Sequence, residues 1–401
     1  MWANIEPAPP DSILGLTEQF RNDPNPDKVN LGVGVYKDNE GNTPILEVIK
    51  KAEERLLASQ TSKSYLPISG DPGYCRAVQR LVLGGKSEAM GSGRAVTVQA
   101  PGGTGALKVG ADLLHRFNGS GRVWVSSPTW ANHNGIFGDA GFAIESYRYY
   151  NPDSHDLDFQ GLLDDLAGIP AGDVVVLHAC CHNPSGVDLT DEQWDEVAGV
   201  ADRQRWIPFL DFAYQGFGES VEADRYAVEK FAATGRDLFV ASSFSKNFGL
   251  YNERTGALTI VCSDGDQAGV AMSHVKTVIR TNYSNPPSHG GLSAAIVLDD
   301  AQLYADWLEE LAAMRDRIRE MRHALVQGLA ASGVPGDFSF IQRQRGMFSF
   351  SGLSDEIVQW LRAEKSIYVV GGGRINLAGL TTANIDYVCQ AVAEAVKAVG
   401  Q

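Results

Sequence analysis

One short segment of the sequence combines residue types that suit a particular chemistry. From Ser242 to Arg254 the chain offers the amine of Lys246, three serine hydroxyls that include Ser243 and Ser245, and one guanidinium. An amine can form a Schiff base with an aldehyde, and hydroxyls with an arginine fork suit a phosphate. Because pyridoxal phosphate (PLP) carries both an aldehyde and a phosphate, the segment predicts a PLP site with Lys246 as its amine.

A PLP site also needs a carboxylate at the pyridine nitrogen and donors at the ring oxygen. Asp211 closes the apolar run 207–211, at the carboxyl end of a predicted strand, where α/β sheets bind ligands. Tyr214 and Asn183 are candidates for the ring oxygen. Each also fits an ordinary structural role: a turn or helix cap for the aspartate, a half-buried core for the tyrosine, and an Asn-Pro-Ser-Gly turn for Asn183.

The phosphate and the ring face have candidates of the same kind. The glycine-rich loop 102–105, with Gly103 and Thr104, precedes a helical run and therefore predicts an anion site at a helix N-terminus. The dinucleotide pattern GxGxxG is not met, because Lys108 stands at its third glycine. Trp130 can stack on the pyridine, and His133 can orient Asp211. A close helix–strand contact, a core tryptophan and a core histidine are the alternatives.

Two arginines suit a substrate with two carboxylates. Arg280 precedes a Thr-Asn-Tyr-Ser-Asn-Pro-Pro segment, and Arg374 follows three glycines. Arginine binds a carboxylate through two parallel hydrogen bonds. Solvated surface positions are the alternative for both.

Composition excludes several classes of protein. The 401 residues carry a formal net charge of -15, with 34 Lys and Arg against 49 Asp and Glu and no basic run, so neither a nucleic acid nor a membrane is an expected partner. The opening residues 1–7 lack the basic start and apolar run of a signal peptide. Together with five cysteines in no paired spacing, this favours a cytoplasmic protein with free thiols. No metal site is expected, because neighbouring residues such as Cys180, Cys181 and His182 alternate in direction on a strand.

Alternating strands and helices must position these residues. Apolar runs at 95–98, 123–126, 174–178, 207–211, 238–242 and 257–261 predict strands covered on both faces, hence a mainly parallel sheet in an α/β domain. Thr190 with Gln193 predicts a capping box. The stretch 301–331 predicts one long helix, and the last helix is expected at 385–398. Shorter runs at 29–36, 346–350 and 367–370 predict a second, smaller α/β domain.

Taken together, these segments resemble the class I aminotransferases, and among them the aspartate aminotransferases, over essentially the whole chain. The motifs that carry the resemblance are 29–36, 64–67, 103–107, 127–133, 181–184, 211–217, 243–256, 283–287, 346–350 and 373–376. The resemblance implies the fold-type I PLP architecture. A large domain of residues 44–312 would hold a mainly parallel seven-stranded sheet, and residues 1–43 with 313–401 would form the small domain. It also implies a homodimer with its active sites at the subunit interface.

The resemblance further implies a role for each site residue. Lys246, Asp211 and Tyr214 would be catalytic, with Tyr214 and Asn183 at the ring oxygen, Trp130 on the ring, and His133 and His178 behind Asp211. The phosphate would contact Gly103, Thr104, Ser243, Ser245 and Arg254, joined by Tyr65 of the neighbouring subunit. Substrate would contact Gly34, Trp130, Asn183, Phe348 and Arg374, the last at the α-carboxylate, with the neighbour's Arg280 at the distal carboxylate.

The implied reaction moves the amino group between L-aspartate and 2-oxoglutarate, giving oxaloacetate and L-glutamate. Val35, Lys37, Thr43, Thr104 and Asn285 match the aspartate type, whereas Ser64, Ser185, Thr255 and Gly372 depart from the usual residues. An aromatic-amino-acid aminotransferase with aspartate side activity therefore stays open as the alternative. A nicotinamide dehydrogenase would leave Lys246 and its serines unexplained, and a non-catalytic binding protein would leave the full catalytic set unexplained.

Overall fold

The computed structural model describes residues 2, 5–7, 14–119 and 121–400. Its helices are α1 (Leu14–Asn22), α2 (Glu47–Ser59), α3 (Pro72–Leu83), α4 (Glu88–Gly91), α5 (Gly102–Asn118), α6 (Asn132–Asp139), α7 (Phe159–Gly168), α8 (Asp191–Gln204), α9 (Tyr226–Ala232), α10 (Gly265–Asn282), α11 (His289–Asp299), α12 (Ala301–Ala331), α13 (Phe340–Arg343), α14 (Asp355–Lys365) and α15 (Ile385–Val399). Its strands are β1 (Val29–Asn30), β2 (Ala95–Pro101), β3 (Arg122–Ser127), β4 (Ala143–Arg148), β5 (Tyr150–Asn151), β6 (Asp156–Leu157), β7 (Val174–His178), β8 (Ile207–Phe212), β9 (Leu238–Ser243), β10 (Thr255–Val261), β11 (Phe348–Phe350), β12 (Ile367–Tyr368) and β13 (Arg374–Asn376).

The chain divides into two compact units. The large unit is Pro44–Asp316, and the small unit combines Met1–Thr43 with Arg317–Gln401. The boundary between residues 316 and 317 falls inside helix α12. The assignment of residues 44–312 to a PLP-binding domain and of the remainder to a small domain stays a prediction.

A seven-stranded sheet organises the large unit, in the order β2-β10-β9-β8-β7-β3-β4. Strands β9, β8, β7, β3 and β4 pair in parallel, whereas β10 runs antiparallel to both of its neighbours. The prediction of a mainly parallel seven-stranded sheet is therefore confirmed. Every residue of β7, β9 and β10 is buried, as expected of strands with helices on both faces.

Helix packing completes the core on this sheet. Helix α5 presents Ala106, Leu107, Val109, Leu113 and Leu114 to a cluster that includes residues of β3, β8 and β10.

On α8, the Thr190 side chain accepts from the Gln193 amide at 3.3 Å and the Gln193 side chain accepts from the Thr190 amide at 2.9 Å, so the predicted capping box is present. Helix α5 begins at Gly102, so the glycine-rich loop forms its first turn, which Gly102 enters with a positive φ of 75°.

The small unit is built on two short pairs of strands. Strand β1 pairs in parallel with β12, and β11 pairs antiparallel with β13. Arg322 of α12 is buried and donates hydrogen bonds to the carbonyls of Ile341, Gly346 and Phe348, which compensates its charge and fixes the start of β11. The apolar run 29–36 forms only the two-residue strand β1, and its remaining residues are irregular backbone.

Helix α12 matches its predicted bounds. Its apolar stripe is buried along its length, from Trp307 and Leu311 to Leu325 and Leu329. Across the described part of the chain, no helix is long and apolar enough to cross a membrane. Met1, Ala3 and Asn4 of the opening segment lie outside the described residues.

Candidate active site

The candidate residues of the large unit lie at one edge of the sheet. The parallel strands β3, β7, β8 and β9 end there, as does β2, and the reversed strand β10 begins there. This edge carries the side chains that follow β3 (Thr129, Trp130, His133), β7 (His182, Asn183), β8 (Tyr214) and β9 (Ser245, Lys246), with Arg254 just before β10. The carboxyl ends of parallel strands are where α/β sheets bind ligands.

Lys246 follows β9 on a turn and is half-buried. Its ammonium nitrogen lies 4.8 Å from the centre of the Tyr214 ring, so these two candidates are neighbours. Burial lowers the pKa of the Lys246 ammonium; the charge of Asp211 opposes this shift and the charge of Arg254 adds to it. A lysine with a lowered pKa is neutral more often than a surface lysine, which suits a nucleophile or a base.

Asp211 is buried at the end of β8 and is held by a histidine. His133 Nε2 lies 3.0 Å from Asp211 Oδ2, and His133 Nδ1 lies 2.8 Å from Thr129 Oγ1. Burial alone would raise the pKa of the Asp211 carboxyl, but the His133 hydrogen bond and the nearby His133, His178 and Lys246 outweigh it, so the pKa is lowered. The carboxylate is therefore ionised and oriented although it is removed from water.

Two more buried histidines, His178 and His182, lie next to His133 and Thr129. His178 Nε2 lies 3.2 Å from Thr129 Oγ1, and its ring centre is 4.4 Å from that of His182. Burial, reinforced by His133, lowers the pKa of His178 to about 3, and burial holds the pKa of His182 well below its ordinary value. Both imidazoles are therefore neutral near pH 7. Trp130, half-buried, packs edge-on against His133 with ring centres 5.4 Å apart.

An anion site forms where α5 begins. A side-chain carbon on Gly102 would lie 2.5 Å from Arg254 Nη2, and one on Gly103 would lie 3.1 Å from Ser243 Cβ. The first helical amides, the Arg254 guanidinium and the Ser243 hydroxyl therefore converge, as an anionic ligand requires. The Ser243 hydroxyl also accepts from the Ser245 amide at 3.4 Å, which ties the second candidate hydroxyl to the same turn.

In the small unit, three predicted substrate contacts lie together. Arg374 is buried, donates to the Gly32 carbonyl at 2.6 Å, and has its guanidinium carbon 4.4 Å from the centre of the Phe348 ring. A side-chain carbon on Gly34 would lie 2.6 Å from Phe348 Cζ, so glycine is required by the ring. The cluster presents a rigid, desolvated guanidinium, which suits recognition of a carboxylate.

Two predicted residues lie apart from these groups. Tyr65 is 92% exposed, and Arg280, exposed on α10, hydrogen-bonds the Ser284 hydroxyl four residues on. Both were assigned to the active site of a neighbouring subunit, so a single chain leaves that assignment a prediction.

Sequence reasoning missed the hydroxyl groups that hydrogen-bond the buried histidines of the site. Thr129 bridges His133 and His178, while Ser126 and Ser185 flank His182 at 2.9 and 2.7 Å. Spacing gave no signal for them, because serine and threonine are common in such loops and their partners are remote in sequence. The motif 127–133, which includes Thr129, was nevertheless among the segments that carried the resemblance.

Comparison with known proteins identifies the family. Residues 26–392 match the family model described as aminotransferase class I and II. Aspartate aminotransferases of Haemophilus influenzae and Escherichia coli are 50% and 49% identical over 392 residues, which cover 98% of this chain and 99% of each relative. A crystal structure of an aromatic-amino-acid aminotransferase from Burkholderia pseudomallei, covalently bound to pyridoxal phosphate, is 51% identical with a TM-score of 0.96, over 98% of this chain and 99% of that one. With a half-buried lysine and an oriented carboxylate beside an anion site at the sheet edge, this chain belongs to the class I and II aminotransferases.

Proposed function

We propose that this protein uses PLP to move the amino group between L-aspartate and 2-oxoglutarate, giving oxaloacetate and L-glutamate. The observation that carries the proposal is the grouping of Lys246, Asp211 and the anion site at one sheet edge, in a chain about half identical to several aspartate aminotransferases over nearly its full length. The location of the protein in the cytoplasm stays a prediction.

The residues at the sheet edge fit PLP by their chemistry. The space that a side chain at Gly102 would fill lies against Arg254, which suits a phosphate, and the half-buried amine of Lys246 suits an aldehyde. The ionised Asp211 suits a protonated pyridine nitrogen, and the Tyr214 hydroxyl and Asn183 amide suit a ring oxygen. When bound, PLP supplies an aldehyde that takes up the amino group and a ring that delocalises the electron pair left by the α-proton.

Each protein group then has a defined task. Asp211 holds a proton at the pyridine nitrogen, and His133 keeps the carboxylate in place. Lys246, with its lowered pKa, would accept the substrate α-proton at Nζ and hold it for the return transfer. General acid–base help of this kind typically contributes about 10²–10⁴ in rate. Arg374 binds the α-carboxylate of the substrate, with Phe348 and Gly34 shaping the space around it.

The first test uses the cofactor spectrum. L-Aspartate alone is added to the purified, PLP-loaded protein, and the absorbance should change from the aldehyde form to the amine form of the cofactor. Lys246→Ala should abolish this change, whereas Lys276→Ala, on the exposed face of α10, should not. Bound PLP that does not respond to aspartate would contradict the assignment.

The aromatic-amino-acid alternative is favoured by one observation, the high identity and TM-score of the Burkholderia aromatic enzyme. The two reactions share every chemical step and differ only in the side chain that the site accepts. The ratio of kcat/KM for aspartate to that for phenylalanine separates them. A ratio well above one supports the proposal, and a ratio below one supports the alternative.

We also propose a homodimer in which Tyr65 and Arg280 reach the active site of the neighbouring subunit. The exposure of the Tyr65 ring supports this, because a side chain that makes little contact within its own chain is available to contact a partner. Arg280, likewise exposed, would bind the distal carboxylate of aspartate or 2-oxoglutarate.

A further inference from the structure

A carboxylate accepts hydrogen bonds from backbone amides of the loop that carries Asn183. Asp188 Oδ2 accepts from the Cys181 amide at 2.7 Å, and Asp188 Oδ1 accepts from the His182 amide at 2.8 Å. Cys181 adopts a positive φ of 52°, so the chain turns sharply at this point. Asp188 therefore fixes the two residues directly before Asn183.

A second carboxylate does the same for the loop that carries Tyr214. Asp224, which is buried, accepts from the amides of Gly216 and Gly218 at 2.8 and 2.9 Å through Oδ2, and from the Glu219 amide at 2.8 Å through Oδ1. The intervening Phe217 amide donates to the Tyr214 carbonyl at 2.9 Å. Each backbone amide from 216 to 219 thus has a hydrogen-bond acceptor, which restricts the backbone conformation of the loop.

The fit around Asp224 is close. A side-chain carbon on Gly218 would lie 2.6 Å from Asp224 Oδ1, and one on Gly216 would lie 2.3 Å from Leu311 Cδ2. The loop is also tied to the residue after Lys246, because Asn247 Nδ2 donates to the Gln215 carbonyl at 3.1 Å. Two anchors therefore hold the residues that directly follow Tyr214, one at Gln215 and one at 216–219.

The two carboxylates repel each other. Burial raises the pKa of the Asp224 carboxyl to about 6 against the opposing effect of its three amide donors, and the charge of Asp188 adds to the rise. Two like charges near each other in a poorly solvated place lower stability. Their use as amide acceptors, where carboxylates form strong charge-assisted hydrogen bonds, gives a reason for this arrangement.

We propose that Asp188 and Asp224 are positioning residues that act through the backbone, holding Asn183 and Tyr214 where both donate to the ring oxygen of the bound cofactor. The inference rests on the proposed function, because it assigns the purpose of the two loops from the cofactor that they would meet. Neither carboxylate is assigned a contact with cofactor or substrate, so neither is a catalytic residue.

The test is the pH titration of the visible absorbance of bound PLP, in Asp224→Asn and in Asp188→Asn. Donors at the ring oxygen stabilise the more negative, deprotonated form of the bound cofactor. If Asn183 and Tyr214 are held less firmly, the midpoint of the absorbance titration should therefore rise by about 0.5 pH unit or more. Asp173→Asn is the matched control, because Asp173 is buried and accepts from the Arg122 amide at 3.0 Å and Trp124 Nε1 at 2.8 Å at the opposite edge of the sheet.

A second readout separates positioning from stability. Hydrogen exchange should become about tenfold faster at amides 216, 218 and 219 in Asp224→Asn, and at 181 and 182 in Asp188→Asn. Faster exchange without a shifted midpoint would show a purely structural role and overturn the proposal, as would midpoints equal to that of Asp173→Asn. If Asp224→Asn does not fold, Gly218→Ala displaces the same carboxylate and should shift the midpoint in the same direction.

The titration needs only bound cofactor and no turnover. An unaltered protein that fails to convert with aspartate would therefore sink the proposed reaction and leave the positioning test intact. Conversely, normal aspartate conversion together with unshifted midpoints in both Asp224→Asn and Asp188→Asn would overturn the positioning role alone.

Discussion

Burial shifts the pKa values of the ionisable residues around Lys246, and their hydrogen-bond partners and nearby charges decide whether that shift persists. Asp211 keeps a lowered pKa despite burial, because His133 donates to it. His178 has no carboxylate partner within the described hydrogen bonds, so burial lowers its pKa to about 3. The site thus keeps an ionised Asp211 together with the neutral imidazoles of His178 and His182.

The low pKa of His178 predicts a loss of stability in acid. An unfolded histidine binds a proton below about pH 6.5, whereas His178 in the folded protein does so only near pH 3, so the free energy of unfolding falls as pH drops from 6.5 towards 3. Between pH 7 and 5 this residue should account for about 2 kcal/mol of the loss.

Urea unfolding of the cofactor-free protein at both pH values checks this expectation. His178→Asn should lose about 2 kcal/mol less than the unaltered protein between pH 7 and 5. His323→Asn, at an exposed position on α12, serves as the control. An unchanged pH dependence in His178→Asn would contradict the buried, neutral state of this histidine.

At the level of elements, the anion site depends on how closely α5 approaches β10. A side-chain carbon on Gly256 of β10 would lie 2.5 Å from the Gly102 backbone and 2.7 Å from the Ser242 carbonyl. Farther along α5, a side-chain carbon on Gly110 would lie 2.5 Å from the Phe209 ring. Two glycines on facing elements therefore set the position of the helix N-terminus.

Gly256→Ala should accordingly weaken PLP binding. The added methyl group meets backbone atoms on two sides, so the N-terminus of α5 must move away from β10. The affinity for PLP should fall by at least about tenfold, since a helix terminus contributes to anion binding only through its first amides. Equilibrium titration of the cofactor-free protein with PLP measures the change.

Gly269→Ala is the matched control for this substitution. Gly269 lies within α10, and its side-chain carbon would meet nothing within 4 Å. Alanine there should leave PLP affinity unchanged and stabilise the helix by about 0.5–1 kcal/mol. Equal affinities for the two variants would show that the Gly256 contact does not set the anion site.

The strands and the site differ in how far sequence could predict them. The strands β7, β8, β9 and β10, buried at every position except Ile207, appeared as apolar runs. Strand β4 did not, because it lies at the sheet edge and most of its side chains are exposed or half-buried. Lys246 and Asp211 could be proposed from the sequence, because an amine and a carboxylate are side-chain types that a PLP site requires. Asp188 and Asp224 were not, because they act on backbone amides that any residue carries.

At the scale of the whole molecule, the proposed homodimer predicts recovery of activity on mixing two inactive variants. Lys246→Ala lacks the amine and Arg280→Ala lacks the arginine for the distal carboxylate. If Arg280 serves the neighbouring subunit, a mixed dimer has one intact site, made of Lys246 from one protomer and Arg280 from the other.

Aspartate turnover after unfolding and refolding the mixture checks this prediction. Random pairing makes half of the dimers mixed, each with one intact site of two, so about a quarter of the full activity should return. Mixing Lys246→Ala with a variant altered at Asp211, which belongs to the same site, should restore nothing. No recovery with Arg280→Ala would place that arginine in its own subunit's site or outside the reaction.

The reversal of β10 has a consequence for how the site assembles during folding. Because β10 runs antiparallel to β9, the connection of residues 244–254 leaves and re-enters the sheet at one edge, so Lys246 and Arg254 are joined by closing a short loop. The first turn of α5 meets them only when β10 pairs with β2, whose residues lie about 160 positions earlier in the chain. The amine and guanidinium are thus a local pair, and the remainder of the anion site depends on a long-range contact.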